Sequence, residues 1–379
     1  MKATVSVHGR WHAFELANGL HKRRLLGRLL TTYPAFAARR LLEPGVALKT
    51  APWLEVRRHL YDKFSIGGKP DAAIARTFGR FAAGNAIGGA DILVGWSAAT
   101  LEAMAPARAI GMKVVIERGS SHIGHQTNVL RQAHADFGFP YAATEPQIIE
   151  RELEEYQAAD LIAVPSRFAA DTFVAQGFDA GKLIVNPYGV DLSRFSPGPR
   201  EGRIPRVLFA GALGIRKGVP GLLRAFKGLG KLAELHLIGP VEKGFEPILK
   251  AHLSENVHVR GALPSAAMAE EFKRADIFCL PSLEEGFPLS LLQAMAAGLA
   301  VIATAETGAG DIMIPGQDGL MVNSGDTQSV HEALVRLLEN PELRRTLGDA
   351  ARSRVAGGYS WDDYVDRAVS AYNALLTGE

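Results

Sequence analysis

The chain has 379 residues, 47% hydrophobic and 22% charged, with a net charge of +2 and one cysteine, Cys279. That length predicts about two domains. It leaves no room for an intrachain disulfide framework, a cluster of zinc-binding cysteines, or an apolar run near the ~20 residues that span a bilayer.

Charge is uneven. From Met1 to Lys63 twelve Lys and Arg face four acids (Glu15, Glu43, Glu55, Asp62), a balance of +8. Between His21 and Leu42, Lys22, Arg23, Arg24, Arg28, Arg39 and Arg40 interleave with Leu25, Leu26, Leu29, Leu30, Tyr33 and Phe36. Such a segment reads as a basic amphipathic helix, with one face either on the core or on an anionic membrane. The N-terminus lacks the basic, apolar, small-residue order of a secretory signal. With the single cysteine, this gives an expectation of a cytoplasmic protein, peripheral on the inner membrane face through the basic segment. No nucleic-acid recognition motif accompanies the charge.

In chain order, short apolar runs rich in β-branched residues predict strands at ATVSV, DILVGW (Asp91 to Trp96), KVVIERG (Lys113 to Gly119) and ADLIAVPS (Ala159 to Ser166). Helical periodicity fills QIIERELEEYQAA and RFAADTFVAQG, the latter stopping at Gly177. The pattern breaks from Leu183 to Pro205, where Pro187, Pro197, Pro199 and Pro205 alternate with Gly189, Gly198 and Gly202, predicting a linker. Alternation resumes with strands RVLFAG, ELHLIG, VHVRG, DIFCLP and AVIAT, separated by helices. The tail YSWDDYVDRAVSAYNALL closes as a helix. The fold class is α/β, two doubly wound domains, 1–195 and 196–358, with 359–379 as a terminal helix returning to the first. Ligands of open α/β sheets sit beyond the strands' carboxyl ends, so facing edges predict a cleft.

The segment from Pro281 to Thr304 carries the most chemistry. A strand ends at Pro281, Glu284–Phe287 form a turn, and a helix opens near Pro288. The unpaired amides of Phe287, Leu289 and Ser290 suit a phosphate, and Gly286 permits close approach. Glu285 can accept sugar hydroxyls, and Gln293 can bond further ones.

This segment resembles the signature of the retaining glycosyltransferases of family four, which have the GT-B fold: a Glu, seven residues, and a second Glu. Glu285 matches the first, which the resemblance places on the donor sugar and the catalytic centre. Gln293 replaces the second, the ribose holder. Arg206 to Phe226 resembles the family's strand, glycine turn and basic pair. Lys217 matches the lysine that neutralises the donor diphosphate, Arg216 stands beside it, and Ala212 replaces a frequent Arg. With Gly286, Phe287, Pro288 and Leu289 these form the expected diphosphate grip. The resemblance further places Arg260, Gly261 and Leu263 at the nucleobase and His122 at the cleft as a catalytic histidine. It also makes the "Y-G-V-D" of Tyr188 to Asp191 a domain junction. Gly9, Arg10 and His12, after the first strand, are candidates for an acceptor or phosphate loop.

The resemblance implies hexose transfer with retention from a UDP- or GDP-sugar to a glycan, lipid-linked or small-molecule acceptor in polysaccharide or glycoconjugate synthesis. No cofactor is expected, and no metal, since no Asp-x-Asp occurs. Two alternatives stand beside it: a nucleotide-sugar epimerase of the same fold and a non-catalytic nucleotide-sugar binder. A Rossmann dehydrogenase is disfavoured, because no G-x-G-x-x-G follows the first strand.

Overall fold

The computed structural model describes residues 1–64, 69–86, 89–199 and 203–378. Gly202 of the sequence-predicted linker lies outside the described residues. The first sheet contains β1 (Ala3–Val7), β2 (Leu26–Thr31), β3 (Leu48–Thr50), β4 (Ile92–Trp96), β5 (Lys113–Glu117), β6 (Leu161–Val164) and β7 (Leu183–Val185), in the order β3-β2-β1-β4-β5-β6-β7. The second contains β8 (Arg206–Ala210), β9 (Glu234–Ile238), β10 (Val257–Gly261), β11 (Ile277–Leu280), β12 (Ala300–Thr304) and β13 (Leu320–Val322), in the order β10-β9-β8-β11-β12-β13. Every pairing is parallel.

The central strands are buried along their length because helices cover both faces. Cys279 is among these buried residues, and burial pushes its thiol up. In each sheet the first strand sits centrally and the order reverses beside it, between β1 and β4 and between β8 and β11. These are the switch points at which such sheets open a crevice.

The basic segment is not one amphipathic helix. A helix, Ala13–Lys22, ends within its first two residues, and β2 follows at Leu26–Thr31, with Leu29 and Leu30 buried. The strand lets the successive Leu29 and Leu30 reach opposite faces of the sheet. Several of the cations are tied within the chain: Arg23 to Asp366 and Asp362, Arg28 to the Asn85 carbonyl, Arg39 to the Val46 carbonyl. The predicted linker also starts too early. Leu183–Val185 pair with β6 as the last strand of the first sheet.

The chain crosses between sheets twice. After β7 it runs through Asn186 to Pro199 towards β8, and near Tyr359 it returns, with the Val190 amide donating to the Tyr359 carbonyl at 2.8 Å. The final helix, Trp361–Thr377, opens with a capping box between Ser360 and Asp363. It packs on Ala13–Lys22 of the first domain, burying Tyr364, Val365, Ala368 and Tyr372.

Candidate functional site

A cavity of about 930 Å³ lies between the two sheets' carboxyl edges. Its lining includes His8 just past β1, Ser97 past β4, Arg118 past β5 and Gly211 past β8. The parallel strands therefore deliver their following loops to one space.

The second domain supplies Arg216, Lys217, Glu285, Phe287, Pro288, Leu289, Ser290 and Gln293 to this wall. The helix here spans Leu289–Ala296, with Pro288 as an extended N-cap at φ −78°, ψ 119°. Pro288 thus precedes the first helical residue instead of occupying it. The first amides of any helix lack intrahelical acceptors, and here they belong to cavity-lining residues. Gly218, at φ +68°, follows Lys217, and a Cβ there would lie 1.9 Å from the Pro281 carbonyl oxygen. Only glycine fits this contact, which sets the basic pair against the Glu284–Glu285 turn.

Lys217 Nζ is ion-paired with Glu285 Oε1, and Arg216 Nε lies 3.8 Å from the same oxygen. Arg216 also reaches Glu284, Nε to Oε2 at 3.0 Å. Burial would lower the Arg216 guanidinium, but Glu285 and Glu284 outweigh it and raise it. Arg216 therefore keeps its positive charge, and the pair can exchange the Glu285 carboxylate for phosphate oxygens.

Gly286 does not line the cavity. A Cβ there would lie 2.4 Å from the Gly119 carbonyl oxygen, and its own carbonyl accepts from Ser166 Oγ at 2.7 Å. What approaches Gly286 closely is the first domain, not a ligand. Glu284, which sequence reasoning passed over, anchors the same junction. It accepts from the hydroxyls of Ser120 (2.8 Å) and Ser121 (2.7 Å) and from Gln126 Nε2 (3.0 Å).

His122 is also displaced from its expected place. It caps the helix Ile123–Asp136, Nδ1 accepting from the Gly124 amide at 3.1 Å, and is 2% exposed. Its ring packs among Tyr156, Phe173 and Phe178 at centroid distances of 5.0–5.5 Å. Burial, then Arg118 and His125, lower it to about 4, so it is neutral at neutral pH. The histidines that line the cavity are His8 and His12. His12 Nε2 lies 3.4 Å from Glu117 Oε2, and its ring sits 4.3 Å from Tyr188 and 4.9 Å from Trp96. Burial, then Arg58, lower His8 to about 4.

Of the first loop, His12 lines the cavity and Gly9 and Arg10 do not. Gly9 is bound to Thr32 Oγ1 through its amide at 2.6 Å, and Arg10 is exposed. Arg260, Gly261 and Leu263 lie outside the lining as well. β10 is an edge strand, and Arg260 turns to Glu271 at 3.6 Å. From that region it is Met268, on the next helix, that reaches the cavity.

Sequence reasoning missed Arg118, which donates to Gln126 Oε1 at 3.0 Å and pairs with Glu152 at 3.0 Å, and Trp96. It took Tyr188 for a junction residue only, although Tyr188 lines the wall against Phe287 at 5.7 Å. For Arg118 the signal was its place just past a strand's carboxyl end. Away from the cavity, Glu234, His236 and His258 bring ligand-type atoms within 4.8 Å of one another, a grouping that the search for cysteine and histidine spacings overlooked.

Residues 193–354 match the family model described as glycosyl transferases group 1. The MMP alpha-(1->4)-mannosyltransferase of Mycolicibacterium hassiacum is 32% identical over 231 residues, 58% of this chain and 55% of that protein. The phosphatidyl-myo-inositol mannosyltransferase of Mycobacterium leprae is 30% identical over 212 residues, 54% of this chain and 56% of that protein. The chain thus spans about half the length of these curated relatives. Among solved structures, a sucrose-phosphate synthase from Thermosynechococcus elongatus is similar with a TM-score of 0.75 and 19% identity over 100% of both chains. HepE of Anabaena, in complex with UDP, gives 0.70 and 14% over 99% of this chain and 100% of that one. At such identities the likeness is one of fold. The chain has the GT-B fold, and its residues 193–354 are similar to the glycosyl transferases group 1.

Proposed function

We propose that the protein transfers a hexose from a nucleoside diphosphate sugar to an acceptor in the same cavity, with retention of configuration. The observation that carries this reading is the convergence of Arg216, Lys217, Glu285, Gln293 and the amides opening Leu289–Ala296 on one wall of the interdomain cavity. The similarity to two mannosyltransferases supports sugar transfer, and the UDP complex of HepE supports a nucleotide-bearing donor.

In this reading the donor pyrophosphate takes Lys217 and Arg216 as counter-cations and lies against the helix start. Those positive groups stabilise the charge that builds on the departing diphosphate, the part that Asp-x-Asp enzymes assign to a metal. Glu285, relieved of Lys217, accepts hydroxyls of the hexose, and Gln293 bonds the ribose. The acceptor sits on the first-domain side, near His12, Trp96 and Arg118, and attacks from the face the diphosphate leaves. The diphosphate takes the acceptor's proton. Gripping the domains together excludes water and limits donor hydrolysis.

Thermal-shift titration with UDP, GDP and their hexose conjugates, with and without magnesium, tests the reading. Stabilisation by one nucleoside diphosphate, independent of magnesium and lost in Lys217→Ala, is the expected result. No stabilisation by any of them overturns it.

A further inference from the structure

Among the described residues no helix is long and apolar enough to cross a membrane, yet one helix presents an exposed apolar stripe, touched at its start by the Phe81 ring against Trp53. Along Trp53–Phe64, Trp53, Val56, Leu60 and Phe64 are 54%, 58%, 46% and 55% exposed. Their spacing of three, four and four residues aligns them on one helix face. At 100° per residue Lys63 flanks the stripe on one side and Arg57 on the other. The acids of this helix are turned away. Asp62 falls on the opposite side, and Glu55 is bound to the Thr32 hydroxyl. Leu54 is buried beneath, and Arg58, one position past Arg57, lines the interdomain cavity. Trp11, 63% exposed, lines the same cavity.

We propose that this face rests on a lipid bilayer bearing anionic headgroups. The four apolar side chains enter the boundary between headgroups and acyl chains, and Arg57 and Lys63 meet the lipid phosphates. A helix of this length is suited to lie in the interface and is too short to span the bilayer. Charge argues for lipid over a second copy of the chain, because a two-fold contact through this face would bring Arg57 and Lys63 towards their own copies. The basic character read from the sequence at residues 21–42 thus has its surface counterpart on the helix after β3, where the apolar residues face outward.

Because the same helix lines the interdomain cavity through Arg58, on the side away from the stripe, an acceptor held in the bilayer by an acyl chain would be presented beside that cavity. That consequence rests on the proposed glycosyl transfer; the docking itself does not.

Co-sedimentation of the full chain with vesicles of phosphatidylcholine alone, and of phosphatidylcholine mixed with phosphatidylglycerol, tests the docking without any nucleotide. The chain should pellet with the mixed vesicles, less at high salt. Val56→Ser with Leu60→Ser should weaken binding about tenfold or more. Arg57→Glu with Lys63→Glu should do the same on mixed vesicles only. Leu253→Ser with Ile314→Ser, exposed apolar positions elsewhere, should bind as the parent. The proposal is overturned if the parent stays in the supernatant, or if the Val56/Leu60 variant pellets equally. It is also overturned if size-exclusion shows a dimer that this variant dissolves while vesicles bind neither. Nucleotide thermal shifts read the catalytic proposal separately, so either can fail alone.

Discussion

The Glu284 carboxylate, carried by the second domain, accepts the Ser120 hydroxyl of the first at 2.8 Å. Arg216 Nη2 donates to that same Ser120 oxygen at 3.1 Å. One buried acid therefore fixes both the cation proposed for the diphosphate and the loop facing it, coupling domain position to the donor grip.

That coupling has a pH signature. Burial would raise the Glu284 carboxyl, but Arg216 and the bonds from Gln126, Ser121 and Ser120 reverse this and hold it at about 2, below the ordinary 4.5. A group lowered on folding stabilises above its unfolded pKa and loses that effect as pH falls through its folded one. The contribution, on the order of 3 kcal/mol, is full above about pH 5 and is lost between roughly pH 4.5 and 2. Urea unfolding of Glu284→Gln at pH 7 should show a loss of that order, shrinking as pH drops towards 3. A difference that stays constant with pH would assign the effect to packing alone.

Removal of the Lys217 ammonium should weaken nucleoside diphosphate binding by about 10- to 100-fold, the range for a hydrogen bond to a charged group. Calorimetric titration of Lys217→Ala with UDP and GDP reads this directly. Equal affinity in parent and variant would remove Lys217 from the diphosphate site.

Gln293→Glu restores the carboxylate that the family signature carries. A charge-assisted bond to ribose is stronger than its neutral counterpart by about 1 kcal/mol, so the variant should bind the nucleoside diphosphate about fivefold more tightly. An unchanged or weaker dissociation constant would place the ribose elsewhere.

The two histidines should separate cleanly. His122→Ala removes a helix cap worth about 1 kcal/mol, together with ring packing, and should lower Tm while leaving kcat/KM per folded molecule unchanged. His12→Ala should lower kcat/KM about fivefold or more through one lost contact, with a smaller change in Tm. Reversal of this pattern in paired melting and turnover assays would restore His122 to the chemistry.

The second domain's share of the site was legible because it is nearly contiguous. Residues 211–217 and 284–293 each bring a turn, a charge and a helix start together within a few positions, so local spacing states the geometry. The first domain assembles its wall from single residues after β1, β4 and β5, and nothing local marks Arg118 or Trp96 as neighbours of His12. Nor does composition separate His12 from His122. One faces the cavity and the other an aromatic box, and that difference arises only when Tyr156, Phe173 and Phe178 pack together. Gly286 shows a further limit. A glycine reveals that something comes close, and only the assembled domains reveal that it is the Gly119 backbone. The alternating strands were readable from their apolar runs. β2 was hidden because Arg23 and Arg24 precede it and Arg28 lies within it, giving a helix-like periodicity to what is half buried sheet.

The return of the chain at Tyr359 makes the second domain an insertion in the first. Trp361–Thr377 completes the first domain's hydrophobic interior, with Tyr364 and Tyr372 fully enclosed and Arg367 bound to Asn186 and the Pro187 carbonyl. A fragment ending before Ser360 would leave that interior open to water, whereas the inserted unit begins and ends at neighbouring points. The two passages between the units run side by side, joined by the Val190–Tyr359 bond. Relative rotation must therefore bend both together, about an axis close to that bond, which favours a clamshell motion over a twist.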